Sequence, residues 1–129
     1  NAMTLPAHIP NEAPKVQAGH DARSRDVTYR LLVDADGGPS SDLTQGIFYL
    51  DAGDSESRHT HDVTETLYIL KGKGRAKLGD RTLELNEGDT LFIPAGLPHE
   101  FEADEALQMH FTFPVDRFAD VTYTFDEAA

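Results

Sequence analysis

Residues 53–72 read GDSESRHTHDVTETLYILKG, a segment that begins and ends with glycine and places His59, His61 and Glu65 between them. Three side chains that bind metal ions in proteins therefore fall within seven residues. Side chains two residues apart point to the same face of a β-strand, so His59 and His61 can converge on one point. The spacing predicts a metal site built on strands.

Glu65 follows the second histidine too closely to lie on the same strand. Residues 62–64 can form a turn, and residues 64–71 are rich in the Thr, Tyr, Ile and Leu side chains typical of strands. A turn at this place would bring Glu65 back beside the two histidines.

A second segment, GDTLFIPAGLPH at residues 88–99, follows after fifteen intervening residues and supplies a fourth candidate ligand, His99. Its glycines and Pro94 are typical of sharp bends and strand ends rather than of chemistry. The two segments together predict one mononuclear metal site.

The two segments resemble the two sequence motifs of the cupin superfamily, with every motif spacing intact from Gly53 to His99. The resemblance implies an all-β fold, the cupin double-stranded β-helix or RmlC-like jelly-roll barrel of two antiparallel sheets. It also implies a divalent metal bound by His59, His61, Glu65 and His99. The chain departs from the family at Ala103, where the second motif often has an asparagine that is not a ligand.

Length and charge exclude several classes of function. The 129 residues suit one domain, and 39% hydrophobic and 26% charged residues are typical of a globular protein. A net charge of −12 argues against binding to nucleic acid or to an anionic membrane, since both need a basic surface. The chain has no cysteine, no apolar run long enough to span a membrane and no signal-peptide pattern, which favours a cytoplasmic location.

The chain divides into an extended arm at residues 1–26, a single barrel at 27–125 and a tail at 126–129. Asn1 and Ala2 precede Met3 and are interpreted as the remnant of a cleaved tag. Ten strands are predicted at residues 27–33, 46–51, 57–61, 64–71, 74–78, 81–86, 90–93, 99–101, 107–113 and 121–125, with no helix. Gly79 and Asp80 suit a type II′ hairpin.

Three imidazoles and a carboxylate suit one divalent transition metal per chain, Fe, Mn, Ni, Co or Zn, and leave two positions open on an octahedral ion. The resemblance to cupins implies oxidation, isomerisation or lyase chemistry. We expect an enzyme that acts on a small polar organic molecule, with oxygen-dependent oxidation slightly ahead. The alternative is a non-catalytic module in which the metal anchors a sugar or an organic acid. A structural metal ranks last, because structural sites are usually closed and rich in sulfur.

Side chains outside the motifs are harder to assign. His110 is a weak candidate for a general base, because the alternation of residues 107–113 turns it outward if the apolar set faces the barrel interior. His8 and His20 lie in the arm. Five side chains are possible pocket walls, although simple core is the more common role for such residues: Tyr49, Tyr68, Phe92, Met109 and Phe111. Arg30 and Gln45 could bind a polar group, and a small barrel with an arm favours a homodimer.

Overall fold

The computed structural model describes residues 5–19 and 26–126. The described residues form β1 (Gln17–Ala18), β2 (Thr28–Val33), β3 (Thr44–Leu50), β4 (Ser55–His61), β5 (Glu65–Lys71), β6 (Gly74–Leu78), β7 (Arg81–Leu85), β8 (Thr90–Ile93), β9 (His99–Ala103), β10 (Leu107–Phe113), a 3₁₀ turn (Phe118–Asp120) and β11 (Tyr123–Phe125). The predicted tag remnant, His20 and residues 127–129 lie outside the described residues.

The strands pair into two antiparallel sheets. Sheet A has the order β1-β2-β3-β10-β5-β8, and sheet B has the order β11-β4-β9-β6-β7. Consecutive strands often lie in different sheets, which is the topology of a jelly roll. The prediction of an all-β jelly roll with two antiparallel sheets is confirmed.

Each of the ten predicted strands overlaps an observed strand, and three of them, β6, β8 and β10, have the predicted bounds. The hairpin between β6 and β7 has the predicted register, with Leu78 opposite Arg81. Gly79 has a φ of +59°, as the first position of a type II′ turn requires. The two-residue β1 and the 3₁₀ turn were not predicted from the sequence.

The core lies between the sheets and depends on strict alternation along β10. Met109, Phe111 and Phe113 point inward and are buried, whereas His110 and Thr112 are only partly buried. The Phe111 ring stacks on Phe48 at a centroid distance of 4.1 Å. This core holds sheet A at a fixed distance from sheet B, on which most of the predicted ligands lie.

The described part of the arm, residues 5–19, packs on the barrel of its own chain. Residues 17–18 pair with β2, and Arg30 donates hydrogen bonds to the Asn11 carbonyl at 2.6 Å and to Asn11 Oδ1 at 3.2 Å. Among the described residues, no helix has the length and apolar character needed to cross a membrane.

Candidate metal centre

Three buried histidines meet in the barrel interior. His59 and His61 lie on β4, and His99 lies opposite His59 on the neighbouring strand β9. The three side chains are between 1% and 3% exposed. Their potential ligand atoms all lie within 4.8 Å of one another, so they could hold a metal ion. The predicted convergence of these histidines is therefore present.

Backbone carbonyls fix the orientation of each imidazole. The Nδ1 atoms of His59, His61 and His99 lie 2.7, 2.7 and 2.8 Å from the carbonyl oxygens of residues 57, 63 and 97, respectively. A carbonyl oxygen can only accept, so each Nδ1 carries the proton and donates it. In the neutral ring the lone pair is then on Nε2, the arrangement found in histidines that bind metals.

Glu65 opens β5 in sheet A and reaches the histidines of sheet B. The chain bends at residues 62–63, as the sequence predicted, and the carboxylate is buried. Its Oε1 lies 3.0 Å from His61 Nε2 and 3.9 Å from His99 Nε2. The four residues predicted as ligands are thus brought together from three strands.

The donor set fits a cation. Among the described residues, His99 Nε2 and Glu65 Oε2 are the buried side-chain atoms without a hydrogen-bond partner. Unpartnered buried polar atoms are costly, and a metal ion between them would satisfy both. With metal–ligand bonds of about 2.1 Å, two ligands at right angles lie about 3.0 Å apart, which is the separation of His61 Nε2 and Glu65 Oε1.

The metal-free site shares protons among these groups. Burial lowers the pKa of His61, but the hydrogen bond and negative charge of Glu65 outweigh it, so the pKa lies above its usual value. Burial raises the pKa of Glu65 although His61 acts in the opposite direction. Burial and the neighbouring His59 lower the pKa of His99 to about 3. His99 is therefore neutral at physiological pH and ready to bind a cation.

A second buried carboxylate, Glu56, was missed by the sequence analysis. The β4–β9 pairing steps from Glu56 opposite Phe101 to His59 opposite His99, three residues on one strand against two on the other. This bulge turns Glu56 and His59 to the same side, so that Glu56 Oε1 lies 4.0 Å from His59 Nε2. Burial and the charge of Glu65 raise the pKa of Glu56 to about 8.

Tyr123 of β11 is the second residue that the sequence analysis missed. Its ring centroid lies 5.2 Å from that of His59 and 5.5 Å from that of His61. Burial and the charges of Glu65 and Glu56 raise the pKa of the phenol well above its usual value, so the hydroxyl keeps its proton. The period-two pattern of residues 121–125 was the signal that could have placed it on the inner face.

His110, the weak general-base candidate, is not brought to this site. It lies on the outer face of sheet A because the apolar residues of β10 take the inner positions, and burial lowers its pKa. Three suggested pocket walls also lie on the outer face, since Tyr68 and Phe92 are exposed and Tyr49 accepts a hydrogen bond from Arg30.

Met109 and Phe111 belong to the core, and Ala103 is buried there as well. Gln45 is only partly buried on β3, opposite Thr112 of β10. His8 is exposed in the arm.

A cavity of about 770 Å³ adjoins the site. Its walls include the arm from His8 to Gln17, residues of β2 such as Leu31, the 3₁₀ turn and Tyr123 of β11. Tyr123 also lies beside the rings of His59 and His61, so the same side chain borders the cavity and the metal centre.

Several known proteins are similar to this chain in sequence or fold. An uncharacterized protein of Streptomyces coelicolor is 29% identical over 59 residues, which are 46% of this chain and 56% of that protein, so the match spans about half of the relative. The structure of a protein of unknown function from Streptococcus pyogenes is 32% identical, with a TM-score of 0.58 over 68% of this chain and 73% of that chain.

The polyketide cyclase RemF from Streptomyces resistomycificus is 25% identical, with a TM-score of 0.76 over 97% of this chain and 88% of that chain. The family model of the cupin domain matches residues 46–114, which contain all three histidines and both buried glutamates of the site. The two sheets, the buried histidine cluster and this match lead to one conclusion: the chain belongs to the cupin family.

Proposed function

We propose that this protein is a metal-dependent enzyme in which His59, His61, Glu65 and His99 hold one divalent transition metal. The observation that carries the proposal is the convergence of three imidazoles whose Nδ1 atoms are held by backbone carbonyls. The unpartnered His99 Nε2 and Glu65 Oε2 support the same assignment. Fe, Mn, Ni, Co and Zn all suit these ligands.

The reaction that the site supports best is proton transfer on a metal-activated organic molecule. When bound, the ion would supply Lewis-acid stabilisation of negative charge on a substrate oxygen. Glu56 faces the same interior, and the positive charge of a bound ion would favour its ionised form, which could take a proton from a substrate carbon and return it to the product. The protonated Tyr123 hydroxyl can donate a hydrogen bond to a substrate oxygen.

These two residues change the order of the functions weighed from the sequence. From the sequence, the four ligands and the open metal positions left oxygen-dependent oxidation slightly ahead, whereas Glu56 favours isomerisation, cyclisation or lyase chemistry. The similarity to the polyketide cyclase RemF supports the same order. A non-catalytic binding module drew its support from the lack of an assured proton-transfer group, and Glu56 and Tyr123 weaken that support.

Metal analysis tests the centre itself. Protein purified without added metal should contain about one transition-metal ion per chain, measured by plasma mass spectrometry. His99→Ala should lower metal affinity by at least roughly 10–100-fold, because it removes a ligand. His110→Ala is the matched control on the outer face and should leave the metal content unchanged. Equal metal content in both variants would contradict the proposal.

Hydrogen exchange tests the reaction class. In D2O, the metal-loaded protein should accelerate deuterium incorporation into the methyl group of acetophenone, measured by NMR, equally with and without oxygen. Glu56→Gln should slow this exchange by about 10²–10⁴-fold, the usual contribution of a proton-transfer group. Oxygen consumption in step with product formation would restore oxidation as the leading function.

A further inference from the structure

The cavity beside the metal centre is built partly from the arm. It lies between the arm and the edges of the two sheets, with Leu31 of β2 on one side and Tyr123 of β11 on the other. Ile9 and Pro10 of the arm also line the cavity. A volume of about 770 Å³ is within the range of sites that bind small organic ligands.

The floor of this cavity is aromatic. Tyr29 lies 5.0 Å from Phe118, and Phe118 lies 6.1 Å from Tyr123, measured between ring centroids. These three rings line the cavity and continue to His61, whose ring is 5.5 Å from that of Tyr123. Rings at such distances offer edges and faces that suit a flat apolar ligand.

Several polar groups of the lining are already engaged. Asp34 accepts hydrogen bonds from the backbone N–H groups of Phe118 at 2.6 Å and Asp36 at 3.0 Å. The Asp36 carboxylate in turn pairs with Arg117 at 2.9 Å, and Lys15 lies in the exposed arm. A sugar or a small acid would lose hydration in this cavity with few hydrogen bonds in return, whereas an apolar ring would not.

We infer that the cavity binds the ring body of the substrate, and that this substrate is an aromatic or similarly apolar ring compound carrying an oxygen group. Tyr123 is the wall beside which the oxygen group reaches the metal centre. The inference rests on the proposed function and replaces the small polar molecule expected from the sequence.

Calorimetric titration with 2-naphthol, an uncharged bicyclic phenol, tests the cavity without relying on the metal. The full chain should bind one 2-naphthol per protein, whether metal-loaded or treated with EDTA. Ala119→Trp should weaken this binding at least tenfold, because Ala119 is exposed and lines the cavity. Ala106→Trp, at an exposed alanine in the β9–β10 loop, is the matched control and should change the affinity less than twofold.

A second variant covers the case in which Ala119→Trp fails to fold. Ile9→Asp places a charge on the arm wall at a residue 40% exposed, and it should also weaken 2-naphthol binding at least tenfold. Absence of saturable binding, or equal binding by both cavity variants and Ala106→Trp, would overturn the inference. A normal metal content in the same samples would show that the metal centre stands while the substrate class does not.

Proximity to the metal centre needs a separate measurement. The Mn(II)-loaded protein should broaden the proton NMR lines of 2-naphthol, and Ala119→Trp should abolish that broadening. Binding to the Mn(II) protein without broadening would place the ring elsewhere and would overturn the role given to Tyr123.

Discussion

Two carboxylates share the interior of the barrel, and they have different neighbours. Glu65 lies beside His61 and His99, whereas Glu56 lies beside His59. Burial, with the charge of Glu65 added, raises the pKa of Glu56 to about 8. Glu56 therefore holds its proton at neutral pH in the metal-free protein, and its neutral form is the one that the fold stabilises.

This pKa predicts a pH dependence of stability for the EDTA-treated protein. Between pH 4.5 and about 8 the folded state keeps a proton on Glu56 that the unfolded state has released. The free energy of unfolding must therefore fall as pH rises through this window. Glu56→Gln should remove this part of the decline, on the order of a few kcal/mol, as measured by urea denaturation at pH 5 and pH 8.

Glu84→Gln is the control for this measurement, because Glu84 is an exposed carboxylate on β7. It should show the same pH dependence as the unmodified protein. A Glu56→Gln variant whose stability falls with pH as steeply as that of the unmodified protein would contradict the assignment.

Four of the site residues were predicted from the sequence: the spacing brings His59, His61 and Glu65 together, and the resemblance to the second cupin motif adds His99. His59 and His61 are two apart on one strand, and the bend before Glu65 follows from the end of that strand. Glu56 could not be predicted in the same way. It is three residues before His59, and strict alternation would turn it outward if no bulge lay between them.

At the scale of single elements, Gly46 of β3 occupies a position where the structure leaves no room for a side chain. A Cβ added at Gly46 would lie 2.4 Å from the Arg30 carbonyl oxygen on β2 and 2.4 Å from Phe111 Cζ on β10. The backbone oxygen cannot move aside without breaking the β2–β3 pairing. The lack of a side chain at Gly46 therefore allows β2 and the Phe111 ring to pack closely against β3.

Gly46→Ala should lower the free energy of unfolding by roughly 1–3 kcal/mol or more, as expected for overpacking. Gly38→Ala is the matched control, because a Cβ there meets no atom within 4 Å. It should change stability by less than about 1 kcal/mol in the same urea denaturation experiment. An equal loss of stability in the two variants would show that the close packing at Gly46 does not limit which residue fits there.

The arm is the second element whose attachment can be tested. Arg30 ties it to sheet A through Asn11 and is itself held by the Tyr49 hydroxyl at 2.9 Å. Arg30→Leu should speed trypsin cleavage after Lys15 about five- to tenfold, because losing these bonds costs about 1 kcal/mol of arm attachment. Mass spectrometry of timed digests measures the rate.

Arg75→Leu is the control for the digestion, since Arg75 of β6 pairs with Glu102 of β9 and with Asp104 just after that strand, away from the arm. Cleavage after Lys15 at the same rate in both variants would contradict the role of Arg30 in holding the arm.

The elements themselves were largely predictable. Glycine turns and period-two alternation locate each barrel strand, although only three of the ten have the predicted bounds. The pairing of strands that lie far apart in sequence was implied by the resemblance to cupins. The two-residue β1 carries no periodicity, and its pairing with β2 depends on where the rest of the barrel leaves an open edge. For the same reason the cavity under the arm could not be foreseen from the sequence.

At the scale of the whole molecule, the homodimer stays a prediction. The outer face of sheet A exposes Tyr68, Leu70 and Phe92, with Phe92 65% exposed. An apolar group of this kind suits a two-fold contact between copies. Light scattering at micromolar concentration should give twice the chain mass, and Phe92→Glu should halve it. Leu43→Glu, another exposed leucine position, is the control and should leave the dimer intact.

The bulge between Glu56 and His59 has a consequence for the electrostatics of the interior. If β4 ran in regular register, the inward position two residues before His59 would belong to Ser57, and the carboxylate would face solvent. The same ligands would then surround a metal beside a hydroxyl instead of an acid. One extra residue in the strand therefore decides whether the barrel interior holds one acidic group or two, and with it whether the proposed proton-transfer residue faces the site.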